Sequence, residues 1–247
     1  MEITREHNLE EIDFNERCYP DKTPSRVLRD HFYRYEFAAQ FVKDKTILDI
    51  ACGEGYGSEI LRKAGAGAVY SVDNSSAIVA AANEKYPGIN FITTEATKTS
   101  FQDQFFDIII SFETWHHLDD YENFIPEMSR ILRPGGLLIL SVPNEKMLYL
   151  SPFNKKFLTK YYRANFSKQK IEKYLKPYFE IKEWYGQRGV KKIYTNFFSK
   201  IFLSLLAGIS ARLKAKIDAA FKLGDGPQVR PIKSDNFRYL IVVAVKK

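Results

Sequence analysis

Thr46-Ile47-Leu48-Asp49-Ile50-Ala51-Cys52-Gly53-Glu54-Gly55-Tyr56-Gly57-Ser58 is the stretch that decides the fold. An apolar run of strand type, Thr46 to Ala51, meets a glycine-rich turn, Cys52 to Gly57, and a helix follows to about Ala64, ended by Gly65. Glycines at a strand-to-helix turn let a ligand approach bare backbone. Taken alone, the alternating glycines are equally what an ordinary tight turn shows. Two carboxylates sharpen the reading. Asp49 sits at the end of the first strand, just before the glycines, and Asp73 ends a second strand, Ala68 to Asp73. In a parallel sheet their loops converge at the carboxyl edge, where an acidic side chain can hold both hydroxyls of a ribose.

Outward from this unit the alternation continues. Ser75 to Lys85 is a helix stopped by Pro87, Asn90 to Thr94 a third strand, and Phe106 to Phe112 a fourth, almost wholly apolar as a centrally buried strand must be. Tyr121 to Leu132 makes the next helix, and Arg133-Pro134-Gly135-Gly136 turns the chain into a strand over Leu137 to Val142. Upstream, Val27, Leu28, Phe32, Tyr35, Ala38, Ala39 and Val42 recur at helical intervals, and Ser25 caps that helix. Late strands are read at Phe179 to Tyr185 and Tyr239 to Val245. The pattern predicts an α/β chain with helices on both faces of a largely parallel sheet.

Three segments stand apart from the alternation. Residues 1–24 read as an N-terminal arm, and 25–247 as one domain with additions at about 144–176 and 186–237. The second addition is far longer than an ordinary connection. Its middle, 194–223, reads as a helix with Phe197, Phe198, Ile201, Phe202, Leu205, Leu206, Ile209 and Leu213 on one face and Lys200, Arg212, Lys214 and Lys216 as basic residues. A buried lid or a homodimer seam is preferred for it over docking on a membrane surface.

At 247 residues and 45% hydrophobic content, one core with additions is the expectation. The net charge of +7 suits an anionic partner, but lysines on solvated faces give the same sum, and no RNA- or DNA-binding module is recognisable. Two cysteines, Cys18 and Cys52, without metal-ligand spacing predict a reducing, cytoplasmic setting. Glu113, Asp119 and Asp120 lie near one another in sequence, yet loop acids usually face solvent, and no metal is indicated.

The rival chemistry is nicotinamide-dependent hydride transfer, whose acidic residue also falls about twenty residues beyond the glycines. That fingerprint is G-x-G-x-x-G, whereas Gly53, Gly55 and Gly57 alternate here and Asp49 precedes them. A carboxylate is favourable beside a sulfonium or amino group and unfavourable beside a pyrophosphate. Spacing therefore favours methyl transfer.

Leu48 to Ser58 resembles motif I of the class I S-adenosylmethionine-dependent methyltransferases. Ser71-Val72-Asp73-Asn74-Ser75 is similar to their ribose-binding loop, Phe105 to Ser111 to their fourth strand, and Ile131 to Gly136 to the turn before their fifth. The resemblance implies a Rossmann-like mixed sheet of seven strands with the last antiparallel, and S-adenosylmethionine as cofactor. It implies that Asp49 brackets the berth, that backbone of Ala51, Gly53 and Gly55 lines the methionine part, and that Asp73 binds the ribose. Asn74, Glu95 and Ala96 would flank the adenine, although Thr94-Glu95-Ala96 stands where family members often carry Gly-Asp-Ala. His31 to Ala38 is similar to a segment of methyltransferases from bacterial sugar and surface-polysaccharide pathways. There Arg34 is expected to pair with the cofactor's carboxylate, the alternative being a solvated helix face.

For the acceptor, Ser111 to Asp119 supplies His116 and His117 just beyond the fourth strand. His117 ranks first as general base and His116 second, against the ordinary role of an imidazole in capping or packing. The acceptor is expected to be a small-molecule or saccharide hydroxyl, or an amine. Phe153, Phe157, Tyr161, Tyr162 and Phe166 form a lid or pack on the sheet. A lipid-linked or nucleic-acid acceptor, and a non-catalytic cofactor-binding protein, are the alternatives.

Overall fold

The computed structural model describes residues 25–148, 162–189, 226–232, 234 and 236–247. The N-terminal arm, the 194–223 helix and Phe153, Phe157 and Tyr161 lie outside the described residues. Helix α1 (Ser25–Ala39) precedes β1 (Thr46–Ile50), after which the chain runs α2 (Tyr56–Lys63), β2 (Ala68–Asp73), α3 (Ser76–Lys85), β3 (Asn90–Thr93) and β4 (Phe106–Phe112). A single 3-10 turn, Trp115–His117, leads to α4 (Tyr121–Ile131) and β5 (Leu132–Pro143). Then come α5 (Glu145–Leu148), α6 (Lys168–Leu175), β6 (Phe179–Gly189), β7 (Arg230–Pro231) and β8 (Phe237–Lys246).

The described strands form one sheet of order β3-β2-β1-β4-β5-β8-β6-β7. Pairing is parallel from β3 through β5, while β8 inserts antiparallel between β5 and β6. Parallel neighbours demand crossovers, and the helices between them supply these. This is the mixed sheet expected, with one addition: the two-residue β7 pairs with β6 at the edge. β6 also runs to Gly189, four residues past the strand read from sequence, because it stays paired with β8 as far as Phe237.

Alternation sorts the core into two layers. In β8, Leu240, Val242 and Ala244 join one cluster, and Ile241 and Val243 the other. α4 and α6 cover the first layer, through Phe124, Met128, Ile131 and Leu175; α1, α2 and α3 cover the second, through Ala38, Leu61 and Ala82. Each fully buried large side chain removed from water contributes about 1.5–3 kcal/mol. Trp184 and Tyr185, read from sequence as core, are only half-buried and pack at its margins. Phe166 from the first addition is fully buried and stacks on Trp115 at 4.0 Å, so this part of the addition is core.

Two of the glycines owe their identity to close packing. Gly55 has φ +80°, and a β-carbon there would lie 2.6 Å from the Phe91 ring; at Gly57 it would lie 2.0 Å from the Tyr35 ring. We therefore expect Gly57→Ala to displace Tyr35 and destabilise the protein by about 1–3 kcal/mol. Urea denaturation checks this, and an unchanged midpoint would refute the packing argument.

Candidate active site

The order of the sheet reverses between β1 and β4, and the crevice of an open α/β sheet opens at the carboxyl ends of such strands. A cavity of about 340 Å³ lies there, of a size that holds a small ligand. Ala51 follows β1 with φ 56°, a left-handed conformation that costs a residue with a β-carbon about 1–2 kcal/mol. The turn is held in place from β2. Cys52 N–H donates to the Val72 carbonyl at 2.9 Å, and Gly53 N–H donates to Asp73 Oδ2 at 3.1 Å. Asp73 Oδ1 accepts from Ser75 N–H, also at 3.1 Å, so one carboxylate joins both loops.

Ala51, Gly53, Asp73, Asn74, Glu95 and Ala96 line one end of the cavity together, from three consecutive strand ends. Asp49 and Gly55 are not in this wall. Asp49 is fully buried beneath the turn, where its carboxylate accepts from Ser58 Oγ at 2.6 Å and Tyr35 Oη at 3.1 Å. It ties α1 and α2 to β1. Burial raises its pKa to about 7, against the lowering by the Ser58 and Tyr35 hydrogen bonds. Gly55 faces the rings of Phe91 and Tyr86.

The other end is lined by Glu113, His116, His117, Tyr162 and Tyr239. Trp115 sets the histidine turn: its ring is wholly buried and its Nε1–H donates to the Tyr121 carbonyl at 2.7 Å. The His116 and His117 ring centroids are 4.0 Å apart, and the Tyr162 ring stands edge-on to both at 4.4 and 5.4 Å. Tyr162 is held there because the Arg163 and Ala164 N–H groups both donate to the His116 carbonyl, at 2.8 and 3.3 Å. His116 is buried, and its Nδ1 has no partner among the described residues. Burial first, and then the nearby His117 and Arg34, hold its pKa well below the ordinary histidine value.

Helix α1 closes the cavity with Val27, His31 and Tyr35, spaced i, i+4, i+8 on one face. Arg34 is one residue off that stripe, and its placement corrects the expectation of a cofactor contact or a solvated face. It is 1% exposed, it donates from Nη1 to Gln187 Oε1 at 2.9 Å, and it lies over the Tyr239 ring at 4.7 Å. The physical reason is helical phase: the Tyr35 direction faces the cavity and the Arg34 direction faces β6. Two turns of α1 are fastened there, because Arg188 pairs with Asp30 at 2.6 Å with both side chains buried.

Glu113 is a second correction. Its side chain is 13% exposed rather than solvated, it takes φ 57°, and it accepts from Ser141 Oγ at 2.8 Å. Burial raises its pKa, opposed first by Arg34. The helical spacing of Val27, His31 and Tyr35 was a usable signal in the sequence. For Glu113 and Tyr239 there was none, since their placement depends on strands far apart in the chain.

Residues 48–140 match the methyltransferase domain family. Over 116 residues the chain is 31% identical to a probable S-adenosylmethionine-dependent methyltransferase of Mycolicibacterium smegmatis, covering 47% of this chain and 45% of that one. It is also 31% identical over 150 residues to phthiotriol/phenolphthiotriol dimycocerosates methyltransferase 1 of Mycobacterium ulcerans, covering 56% and 55%. The chain thus spans about half the length of the curated relatives it matches. A possible histamine N-methyltransferase of Thermotoga maritima shares the fold, with a TM-score of 0.61 at 16% identity over 90% of this chain and 93% of that one. Dependence on S-adenosylmethionine is part of the Mycolicibacterium smegmatis relative's name. The open backbone at Ala51 and Gly53 and the adjacent Asp73 carboxylate fit an adenosyl group carrying a sulfonium.

Protonation of two buried groups acts on stability in opposite directions. Unfolded, His116 takes a proton near pH 6.5, and folded it resists doing so, so its contribution to stability is present above that pH and is lost as pH falls. Asp49 acts in the opposite sense, its contribution declining as pH rises from about 4 toward 7. In His116→Asn the loss of unfolding free energy between about pH 7 and about pH 5 is expected to be shallower than in the wild type. Parallel urea titrations test this, and equal slopes would reject it.

Proposed function

We propose that this chain is a methyltransferase that moves a methyl group from S-adenosylmethionine to a hydroxyl, or an amine, of a small-molecule or saccharide acceptor. The observation carrying the reading is a single cavity that has Ala51, Gly53 and Asp73 at one end and His116 and His117 at the other. When bound, the cofactor supplies a methyl group activated by a sulfonium. Asp73 holds the ribose, backbone at Ala51 and Gly53 takes the methionine part, and Asn74, Glu95 and Ala96 flank the base. Asp49 supports this berth from below rather than touching it.

At the other end the protein must align the acceptor, exclude water and remove a proton. His117 is the general base in this reading, because it lines the cavity and is less buried than its neighbour. His116, buried and held neutral, braces His117 by ring contact. Tyr162 and the α1 face covering the site keep it dry.

A lipid-linked acceptor is the second reading, supported by the relative named for dimycocerosates. In that case the 194–223 segment would meet a membrane surface; among the described residues, no helix is long and apolar enough to cross one.

Incubation of small sugars, nucleotide sugars and glycolipids with protein and cofactor, followed by mass spectrometry, should show the gain of one methyl group on one of them. His117→Ala is expected to reduce turnover by about 10²- to 10⁴-fold with affinity for S-adenosylhomocysteine close to wild type. Undiminished turnover removes His117 from the mechanism. Asp73→Ala is expected to weaken S-adenosylhomocysteine binding about 10- to 100-fold by calorimetry, as loss of a charged hydrogen-bond acceptor does. An unchanged affinity would refute the ribose contact.

A further inference from the structure

The cavity wall beyond β4 contains a carboxylate, Glu113, beside the histidine pair. Two contacts of Glu113 fall on one oxygen: Ser141 Oγ donates to Oε1 at 2.8 Å, and Arg34 Nη1 lies 3.7 Å from the same atom, while His117 also acts on the carboxylate electrostatically. Oε2 belongs to a side chain that lines the cavity. The arrangement is rigid. Glu113 sits in left-handed backbone at the end of β4, and its N–H donates to the Ser141 carbonyl at 3.1 Å. Arg34 is held between Gln187 and the Tyr239 ring.

Arg34 stabilises the anion from behind but does not itself line the cavity. Among the described residues, no lysine or arginine does. A ligand at this end therefore meets a carboxylate oxygen together with imidazole and phenol groups. A phosphate or carboxylate placed there would be repelled by the Glu113 carboxylate, with no lysine or arginine among the described lining residues to offset its desolvation. A hydrocarbon chain would leave these polar groups without partners. Hydroxyl groups satisfy them.

We infer that Glu113, positioned by Arg34 and Ser141, recognises the acceptor by accepting a hydrogen bond from it, and that the transfer end takes an uncharged polyhydroxylated ring in preference to a phosphorylated one. The inference rests on the methyltransferase reading, and it makes Glu113 a specificity residue distinct from the base His117. One acceptor hydroxyl meets His117 as the nucleophile, and another meets Glu113 as the anchor.

Saturation-transfer NMR on the full chain, saturated with S-adenosylhomocysteine, tests this with D-glucose and D-glucose 6-phosphate as probes. The wild type is expected to bind glucose at least about 10-fold more tightly than the phosphate. Glu113→Gln should weaken glucose about 10- to 100-fold and narrow the gap between the probes, since a charged acceptor and its repulsion are both removed. Glu113→Asp, which keeps the charge and shortens the reach, should weaken glucose and still exclude the phosphate. Arg34→Gln, which removes the cation behind Glu113, should follow Glu113→Gln. Thermal melts and calorimetry with S-adenosylhomocysteine establish that each variant is folded and loaded; if Glu113→Gln does not fold, Glu113→Asp carries the comparison. No glucose binding, equal or tighter phosphate binding in the wild type, or Glu113 variants that leave glucose affinity unchanged, would overturn the proposal. A wild type that fails to bind S-adenosylhomocysteine would instead overturn the methyltransferase reading beneath it.

Discussion

Strand β1 pairs on one side with β2 and on the other with β4, and this double parallel pairing is the constraint from which the site follows. Buried on both faces, β1 cannot shift register without exposing Ile47, Leu48 and Ile50 or stranding the Asp49 carboxylate. Its carboxyl end is thereby fixed beside those of β2 and β4. The Cys52 and Gly53 amides meet Val72 and Asp73 from that position, and the histidine turn follows β4 on the far side. Two loops remote in sequence thus face one cavity.

Around that fixed point, buried polar groups connect elements that apolar packing alone would leave free to slide. Asp49 joins β1 to α1 and α2 through the hydroxyls of Tyr35 and Ser58. Asp30 and Arg34 fasten the same helix to β6 through Arg188 and Gln187. A buried ion pair such as Asp30–Arg188 is weak evidence for stability, because its desolvation opposes its attraction, but breaking it leaves an uncompensated charge. Its consequence here is geometric: it sets the rotation of α1, which places His31 and Tyr35 over the cavity and Arg34 behind Glu113.

A second clamp acts at the β3 end of the cavity. Glu127 accepts from both the backbone and hydroxyl of Thr99, at 2.7 and 2.6 Å, while Arg130 donates to the Phe101 carbonyl at 2.8 Å. The loop carrying Glu95 and Ala96 is thereby tied to α4. The spacing Glu127-x-x-Arg130 places both on one helix face, yet nothing local to α4 shows that the face would meet this loop.

The sequence by itself determined the alternation of strands and helices, the glycine turn after β1, the acidic residues at two strand ends and the histidine pair beyond β4. These depend on spacing within about a dozen residues, where periodicity and turn chemistry act directly. It also allowed the antiparallel final strand, through resemblance. Only the tertiary structure decided that Arg34 faces the protein interior, that Asp49 lies under the glycine turn and Gly55 against Phe91, and that Glu113 is drawn into the cavity wall. Each of these depends on which neighbour arrives from far along the chain: Gln187 for Arg34, Tyr35 and Ser58 for Asp49, Ser141 for Glu113. A side chain's local pattern records the element it belongs to, whereas its charge environment and exposure are set by contacts across the sheet.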